Sequence, residues 1–387
     1  MDFRLNDDQQ AMRDAVRDFC DNEIAPKAAT RDEEGRFEEG LVEKLSSMGL
    51  FGTYIPEQYG GAGQDCVTYA MTVEELSWAC AATGILVSAH HSLAVDPILN
   101  FGTEAQKQKY LPKMASGEWI GCFSLTEPGS GSDAGAARCM AVETDDGWVI
   151  NGTKNFVTNG ADAHVTVLFA VSDPDNPKRR MSAFIVEKGT PGFTLGKLEK
   201  KIGIKASSTA ELIFEDCRLP KDALLGERGK GLNIALATLD GGRIGVAAQA
   251  VGISQAALEC ARDYANTRVQ FDRPIGKFQA IQWKLADMAV AIAGARLLTY
   301  RAAWLKQNKQ PFGVEAAMAK LYASEMSNRV TNAAIQVYGG YGYCADYPAE
   351  RLMRDARITE LYEGTSEIQR LVIARKLTTE PQWVTRG

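Results

Sequence analysis

The run Tyr362-Glu363-Gly364-Thr365-Ser366-Glu367-Ile368-Gln369 lies near the C terminus, after a run rich in glycine and tyrosine, Gln336-Val337-Tyr338-Gly339-Gly340-Tyr341-Gly342-Tyr343. In the first of these runs a lone carboxylate, Glu363, stands between an aromatic residue and a glycine at the end of a helical stretch. A carboxyl group that is held away from water can act as a base near neutral pH. Glu363 is therefore the first candidate for chemistry, with a solvated carboxylate at a helix end as the alternative.

A further run, Leu125-Thr126-Glu127-Pro128-Gly129-Ser130-Gly131-Ser132-Asp133, lies in the first half of the chain. This run and the C-terminal runs resemble the N-terminal and C-terminal signatures of the acyl-CoA dehydrogenases, in the same order and at matching spacing. The resemblance extends from about Asp2 to Leu377 and is strongest to the short-chain, butyryl-type members. One small departure is Ser124, where the family more often has a smaller or less polar residue.

The N-terminal third of the chain is predicted to be helical from its hydrophobic periodicity. Asn6 and Gln9 form a capping-box pattern, after which apolar residues recur at helical spacing until Pro26. A second helix is predicted to end at Gly49, and residues 66–100 are predicted to be largely helical.

The middle of the chain changes to short segments rich in β-branched and aromatic residues, which predict strands. These segments are Trp148–Ile150, Val165–Val171, Ser182–Glu187 and Ala210–Phe214. Helical patterning returns from about Gly231. The predicted fold is therefore α+β and mostly α, with an N-terminal helical domain (1–118), a small β domain (119–229) and a C-terminal four-helix bundle (230–387). The resembled family has the same fold.

Composition excludes several classes of function. The chain has 387 residues with 43 basic and 49 acidic side chains, a net charge of −6 and no long basic run, so nucleic acid is not an expected partner. The start, Met1–Asp8, is acidic and polar, and no apolar run reaches the ~18 residues that a membrane span needs. We expect a cytoplasmic protein that has no membrane partner.

Cysteines and histidines do not form a metal pattern. No two of the eight cysteines have the two-residue gap of a redox or zinc motif, so free thiols in a reducing compartment are expected. The three histidines, His90, His91 and His164, lack zinc spacing and a serine-histidine-acid arrangement, and no metal is expected. His90 and His91 border the acyl pocket in members of the resembled family, but we expect capped or surface histidines.

Removal of hydrogen from an unactivated Cα–Cβ bond requires acidification of the α-proton, a base, and an acceptor for the β-hydride. No ordinary side chain accepts a hydride, so the reaction requires a redox cofactor, which is FAD in the resembled family. The resemblance implies that Glu363 takes the α-proton and that flavin N5 takes the β-hydride. It also implies that the backbone N–H of Glu363 and a flavin ribityl hydroxyl polarise the thioester carbonyl.

The resemblance also assigns binding residues. Substrate contacts fall on Ser132, Asp240, Arg243 and Gly364. FAD contacts fall on Phe123, Leu125, Thr126, Gly131, Ser132, Phe156, Thr158, Arg268, Phe271, Gln279, Gln336, Gly339, Gly340, Thr365 and Glu367.

Each group of assigned residues has a plainer alternative. Asp240 and Arg243 could form an ordinary ion pair beside a Gly-Gly kink. The run Gly129–Ala134 alone is a weak dinucleotide fingerprint, because no strand, helix and β-α-β unit is predicted around it. The resemblance implies a loop whose N–H groups and hydroxyls face the flavin, with Ser132 turned toward the substrate. For Phe156–Thr158 the alternative is a plain strand beside a turn.

Arginine offers the planar, fixed positive charge that suits a diphosphate. In the resembled family the positions of Arg268 and Gln279 hold the FAD pyrophosphate and adenosine of a neighbouring subunit, and the segment from Gln336 to Gly340 lines the other side. The implied assembly is a homotetramer, built as a dimer of dimers. The implied electron acceptor is an electron-transferring flavoprotein.

The expected substrate is a short, straight or α-branched acyl-CoA, converted to trans-2-enoyl-CoA. Between Leu76 and Asp96 there is no lysine or arginine. A substrate with a second carboxylate would need a buried cation there, so glutaryl-type substrates are disfavoured. The alternatives are a dehydrogenase of branched or alicyclic acyl-CoA, an acyl-CoA oxidase that uses O2, and a catalytically silent binding protein on the same scaffold. Most acyl-CoA oxidases carry an extra C-terminal domain, and a silent protein would normally lose Glu363.

Overall fold

The computed structural model describes residues 4–176 and 178–380 of the chain. Seven α-helices form its N-terminal part: α1 (Asp7–Phe19), α2 (Ala28–Glu34), α3 (Leu41–Ser47), α4 (Cys66–Ala79), α5 (Ala81–Ala89), α6 (Asp96–Phe101) and α7 (Glu104–Ala115). The predicted capping box is present at the start of α1. Asn6 Oδ1 accepts a hydrogen bond from the Gln9 N–H at 2.8 Å, and Gln9 Oε1 accepts one from the Asn6 N–H at 3.0 Å.

A π-helical turn, His90–Val95, connects α5 to α6, and all six of its residues are buried. The expectation of capped or surface histidines is therefore wrong for His90 and His91. His90 Nδ1 accepts a hydrogen bond from the Gly121 N–H at 3.1 Å, and His91 Nε2 lies 2.9 Å from the carbonyl oxygen of Leu50. Burial lowers the pKa of His90 to about 3 and that of His91 to about 4. Because both rings stay neutral at neutral pH, they can pack in the core without a buried charge.

The central domain is built on one twisted sheet. Its strands are β1 (Gly121–Ser124), β2 (Met140–Thr144), β3 (Gly147–Thr158), β4 (Val165–Val171), β5 (Met181–Glu187), β6 (Phe193–Leu198), β7 (Thr209–Pro220) and β8 (Leu224–Leu225). Their order is β6-β7-β3-β2-β4-β5-β8, and β1 pairs in parallel with β4. The four predicted strands are present, and β4 is buried at every position.

The C-terminal part contains α8 (Gly231–Thr267), a two-stranded hairpin of β9 (Val269–Gln270) and β10 (Arg273–Pro274), and then α9 (Gln279–Gln307), α10 (Gly313–Tyr338), α11 (Pro348–Arg357) and α12 (Ser366–Thr379). Helix α8 is central, because α4, α5, α9, α10 and α11 all pack against it, whereas α12 packs on α10. The predicted mostly helical fold with a β domain in the middle is confirmed.

Helix α8 is also apolar. Within the described part of the chain it is the one helix that is long and apolar enough to cross a membrane, judged by length and composition alone. Of its most apolar window, 72% is buried inside the protein. Such burial is typical of the core helix of a bundle.

Candidate active site

Glu363 lies in the short loop before α12, between a 3-10 turn at Ile358–Glu360 and the N-terminal cap of the helix. Its backbone has a φ of +52°, which is uncommon for a residue with a Cβ, and Gly364 follows with a φ of +92°. Oxygen Oε2 of Glu363 is buried without a hydrogen-bond partner. Burial raises the pKa of this carboxyl group to about 7, although the positive charges of Lys320 and Arg243 oppose the rise.

Gly242 on α8 allows this placement of the carboxylate. A Cβ atom at position 242 would overlap Oε2 of Glu363 and would lie 3.1 Å from Cδ2 of Leu93. The carboxylate therefore rests on the backbone of the central helix. A Gly-Gly kink was one expectation here, but α8 continues unbroken through Gly242. This glycine instead permits the close approach of the Glu363 carboxylate to the helix.

Neighbouring side chains fix the residues on both sides of Glu363. The Tyr362 hydroxyl donates to Gln249 Oε1 on α8, and Gln249 Nε2 donates to the carbonyl of Ala81 at 3.0 Å. Lys320 and Gln369 donate to the Gly364 carbonyl, each at 2.8 Å. Sequence reasoning missed Gln249 and Lys320, because neither stands in a motif.

Arg243 and Asp240 form the ion pair that the sequence left as an alternative, with Nη1 2.5 Å from Oδ1. The pair is also part of the site. Arg243 is buried, its Nε has no hydrogen-bond partner, and its charge acts on Glu363. Burial raises the pKa of Asp240 while Arg243 opposes the rise. Arg243 can therefore pair with Asp240 through Nη1 and still offer its unpartnered Nε to a ligand.

A buried carboxylate holds the glycine-rich loop. Glu127 accepts hydrogen bonds from the N–H groups of Arg138 at 2.6 Å and Cys139 at 3.0 Å, and from Nζ of Lys154 at 2.7 Å. Burial opposes ionisation, but Lys154 and the two N–H groups hold the pKa of Glu127 below its usual value. Gly131 and Ser132 are exposed at the tip of the loop, where a Cβ at Gly131 would meet nothing within 4 Å.

Strands β1 and β3 place the other predicted cofactor residues beside this loop. The Asn155 N–H donates to the Thr126 carbonyl at 2.8 Å, so β3 runs alongside the segment that contains Leu125 and Thr126. The β3–β7 register shifts between Lys154 and Val157, and at this irregularity Phe156 has a φ of +56° and is 62% exposed. An exposed aromatic ring at a bulge is typical of a ligand-facing position rather than of a plain strand.

Strand β1 contains Phe123 and packs against the π-helical turn His90–Val95. Leu93 of this turn lies beside Gly242, because a Cβ at position 242 would lie 3.1 Å from Leu93 Cδ2 and would overlap Oε2 of Glu363. The turn therefore connects the strand that carries Phe123 to the part of α8 that carries Arg243 and lies against Glu363.

Arg268 lies elsewhere, at the C-terminal end of α8. It lines a cavity of about 440 Å³ together with Tyr338, Gly339 and Gly340. Phe271, on the adjacent hairpin, is 86% exposed with a φ of +52°. Arg268 follows Arg243 by 25 residues of chain, almost all of them helical, which corresponds to roughly 37 Å. Gln279 begins α9 and Gln336 is exposed on α10.

Two of the remaining predicted residues, Thr365 and Glu367, follow Glu363 closely in the chain. Thr365 caps α12, with its Oγ1 accepting from the Ile368 N–H at 3.4 Å, and Glu367 is exposed in the first turn. Thr158 ends β3.

In the described residues, no group of three or more His, Cys, Asp or Glu side chains could hold a metal ion.

Family models match nearly the whole chain. Acyl-CoA dehydrogenase N-terminal, middle and C-terminal domains match residues 6–118, 122–217 and 229–378. The chain belongs to the acyl-CoA dehydrogenase family. Within this family, the mitochondrial short-chain specific acyl-CoA dehydrogenase of Mus musculus is 54% identical over 373 residues, which cover 96% of this chain and 90% of that protein. Like its relatives, the chain is an oxidoreductase.

Two solved structures extend the comparison. Butyryl-CoA dehydrogenase from Megasphaera elsdenii matches with a TM-score of 0.96 and 48% identity, covering 98% of this chain and 100% of that chain. A chain in a structure described as the electron transferring flavoprotein of Acidaminococcus fermentans matches with a TM-score of 0.96 and 50% identity. The match covers 97% of this chain and 99% of that chain. The fold of the acyl-CoA dehydrogenases is therefore preserved along the described chain.

Proposed function

We propose that this protein is an FAD-dependent dehydrogenase that converts short-chain acyl-CoA to trans-2-enoyl-CoA, with Glu363 as the base. The observation that carries the proposal is the state of the Glu363 carboxyl group. It is buried against Gly242, lacks a hydrogen-bond partner at Oε2, and has a pKa raised to about 7. Such a group is suited to take a proton near neutral pH.

The side chains around Glu363 have distinct tasks in this reaction. Glu363 takes the α-proton, while Arg243 and Lys320 favour its ionised form. Leu93 borders Gly242 beside the carboxylate and supplies apolar surface that excludes water, which strengthens electrostatic interactions in the site. The backbone N–H of Glu363 is the candidate donor to the thioester carbonyl oxygen, where negative charge develops when the α-proton leaves.

Bound FAD supplies the acceptor for the β-hydride. The residues present fit this group, since an exposed ring at Phe156 and an open glycine-rich loop lie beside Thr126. Arg268, Gly339 and Gly340 line a separate cavity, in which the Arg268 guanidinium is suited to pair with a diphosphate. About 37 Å of helix separates Arg268 from Arg243, which lies beside Glu363. We infer that the Arg268 cavity serves an FAD whose flavin lies at the active site of another subunit.

We therefore propose a homotetramer in which FAD is shared between subunits. Four exposed apolar side chains recur every seven residues along α9 and form one stripe. They are Trp283, Val290, Leu297 and Trp304, which are exposed by 64%, 74%, 51% and 54%. A second copy of this chain is the proposed partner of the stripe.

The acyl group is proposed to be short and uncharged at its far end. No lysine or arginine occurs between Leu76 and Asp96, and Lys306, which reaches Asp96 from α9, is already paired with it. A second substrate carboxylate that recruited Lys306 would have to break this buried pair. The names of the Mus musculus and Megasphaera elsdenii relatives also favour a short acyl chain.

An electron-transferring flavoprotein is the proposed acceptor of the electrons, and the Acidaminococcus fermentans match supports this proposal.

To test the proposed function, the purified yellow enzyme should be mixed under anaerobic conditions with each of five thioesters: butyryl-, isobutyryl-, 2-methylbutyryl-, hexanoyl- and cyclohexanecarboxyl-CoA. Fastest loss of flavin absorbance with a short acyl group supports the proposal, and no loss with any thioester contradicts it. The reduced enzyme should then be exposed either to air or to an electron-transferring flavoprotein. If air reoxidises the flavin quickly and the flavoprotein does so no faster, the protein is an oxidase instead.

A further inference from the structure

Lys320 is a fully buried lysine on α10 whose role the family signatures do not indicate. Its Nζ donates a hydrogen bond of 2.8 Å to the carbonyl oxygen of Gly364. In the described residues no carboxylate forms an ion pair with it. A buried cation is costly unless it is compensated, so its retention next to the Glu363 loop calls for a reason.

The hydrogen bond supports an unusual backbone. Glu363 and Gly364 both have positive φ values, and for Glu363 the Cβ makes this conformation unfavourable. Gln369 helps Lys320, because its Nε2 donates to the carbonyl oxygens of Glu363 at 3.2 Å and Gly364 at 2.8 Å. Two side chains from different helices thus hold the two peptide carbonyls that follow the carboxylate-bearing Cα.

We propose that Lys320 is a positioning residue for Glu363, which fixes the loop of the base through the Gly364 carbonyl and favours the ionised base through its positive charge. The proposal rests on the proposed function for its catalytic meaning. Its structural basis, the hydrogen bond and the burial of the ammonium group, is independent of the reaction.

The charged and titratable groups that face Glu363 come from four elements. Lys320 on α10 and Arg243 on α8 stabilise the ionised carboxylate, and the hydroxyls of Tyr69 on α4 and of Tyr362 lie within electrostatic range. Arg243 already pairs with Asp240, which reduces its effect. Glu360 and Glu367 act on Lys320 but are not paired with it.

Lys320 remains mostly protonated at neutral pH. Burial lowers its pKa to about 8, while the negative charge of Glu363 opposes the decrease. Near pH 7 Lys320 is therefore mostly protonated, while about half of Glu363 is ionised. Loss of the ammonium charge would make the carboxylate harder to ionise, because a nearby opposite charge is removed from a buried site.

Three variants separate charge from position. Lys320→Met removes the charge and the hydrogen bond, and Lys320→Gln removes the charge but keeps a donor. Gln369→Leu removes the hydrogen bonds to the Glu363 and Gly364 carbonyls without changing the charge. All are tested as the purified holoenzyme.

The first readout is infrared titration of the Glu363 carboxylate in protein labelled with 13C-glutamate, with the Glu363→Gln spectrum subtracted for assignment. In both neutral Lys320 variants we expect the pKa of Glu363 to rise by about 1 unit or more. In Gln369→Leu we expect no change in this pKa. An unchanged titration in Lys320→Met or Lys320→Gln overturns the proposal.

The second readout is the pH dependence of kcat with butyryl-CoA. Lys320→Met should lower kcat at pH 7 by about 10-fold and move the profile to higher pH, whereas Gln369→Leu should lower kcat without moving it. A lower kcat with an unmoved profile in Lys320→Met would mark a purely structural role and overturn the proposal. The infrared titration needs no turnover, so it still tests the effect of Lys320 on the Glu363 carboxylate even if Glu363 proves not to be the base.

Discussion

Gly242 and Glu363 touch across the site: the carboxylate oxygen Oε2 occupies the space that a Cβ at position 242 would fill. The two residues are 121 positions apart in the chain, and they meet because α8 is the central helix of the C-terminal part and the loop before α12 returns to it. A carboxyl group pressed against helix backbone loses water on that side. This desolvation is the main cause of its raised pKa.

Gly242→Ala should therefore displace the Glu363 carboxylate. The added methyl group cannot share space with Oε2, so the carboxylate shifts, and a displacement near 1 Å costs about 10²-fold in kcat. Steady-state kinetics with butyryl-CoA measures this loss. Gly294→Ala is the matched control, because it lies in the interior of α9 and its Cβ would make only ordinary contacts with Tyr322 at 3.5 Å. Equal activity in the two variants would contradict the contact.

The pH dependence of kcat/KM should follow the ionisation of Glu363. Its pKa of about 7 is raised from the ordinary value by burial. Because the base must be ionised, kcat/KM should fall about 10-fold per unit below pH 7 and level off above it. A profile that is flat from about pH 5 to 7 would mean that another group, or an unperturbed carboxylate, takes the proton.

The buried pair Lys154–Glu127 should be far more important for stability than an exposed pair of the same length. Lys154 is 0% exposed and lies 2.7 Å from Glu127, while Lys197 is 69% exposed and lies 2.7 Å from Glu199. Lys154→Met leaves Glu127 buried without its cation, at a cost of about 3–5 kcal/mol. Lys197→Met should change the free energy of unfolding by no more than about 0.5 kcal/mol.

Denaturant unfolding of the two variants tests this difference, and flavin retention provides a second measure, since Glu127 holds the glycine-rich loop. Lys154→Met should also lose flavin more readily than Lys197→Met. If both substitutions have the same small effect, the buried pair does not hold the loop.

The apolar stripe on α9 should be needed for assembly. Val290→Glu places a charge in the middle of the stripe and is expected to shift the protein toward smaller species in sedimentation velocity, with loss of FAD. Val142→Glu is the control, because Val142 is also an exposed apolar residue, at 54%, but lies on β2. A Val290→Glu protein with the assembly and flavin content of Val142→Glu would show that the stripe is not an interface.

The sequence predicted the long elements well and the marginal ones poorly. Helix α10 and strand β4 have sustained periodicity or an unbroken apolar run, which identifies them. Strand β6 (Phe193–Leu198) contains a glycine and is mostly exposed, and β1 (Gly121–Ser124) has only four residues. Neither carries enough apolar pattern to mark a strand, since both gain their order from pairing with longer neighbours.

The site was predictable where a motif carried it. Glu363 and Arg243 stand in local runs that resemble family signatures, so the sequence proposes them, and their catalytic and binding roles stay predictions. Lys320 looks like an ordinary helical lysine in the sequence, and its partner is 44 residues away. His90 and His91 were misjudged because a polar pair after an apolar helix gives no sign that a β strand and the residues around Phe51 will cover it.

The most direct test of the account is anaerobic mixing of Glu363→Gln with butyryl-CoA, followed by flavin absorbance. Glutamine has nearly the same shape but cannot take a proton. The account predicts yellow protein that binds butyryl-CoA yet loses flavin absorbance about 10^4-fold more slowly than the unsubstituted enzyme. A rate within a few-fold of the unsubstituted enzyme would contradict the assignment of Glu363 as the base.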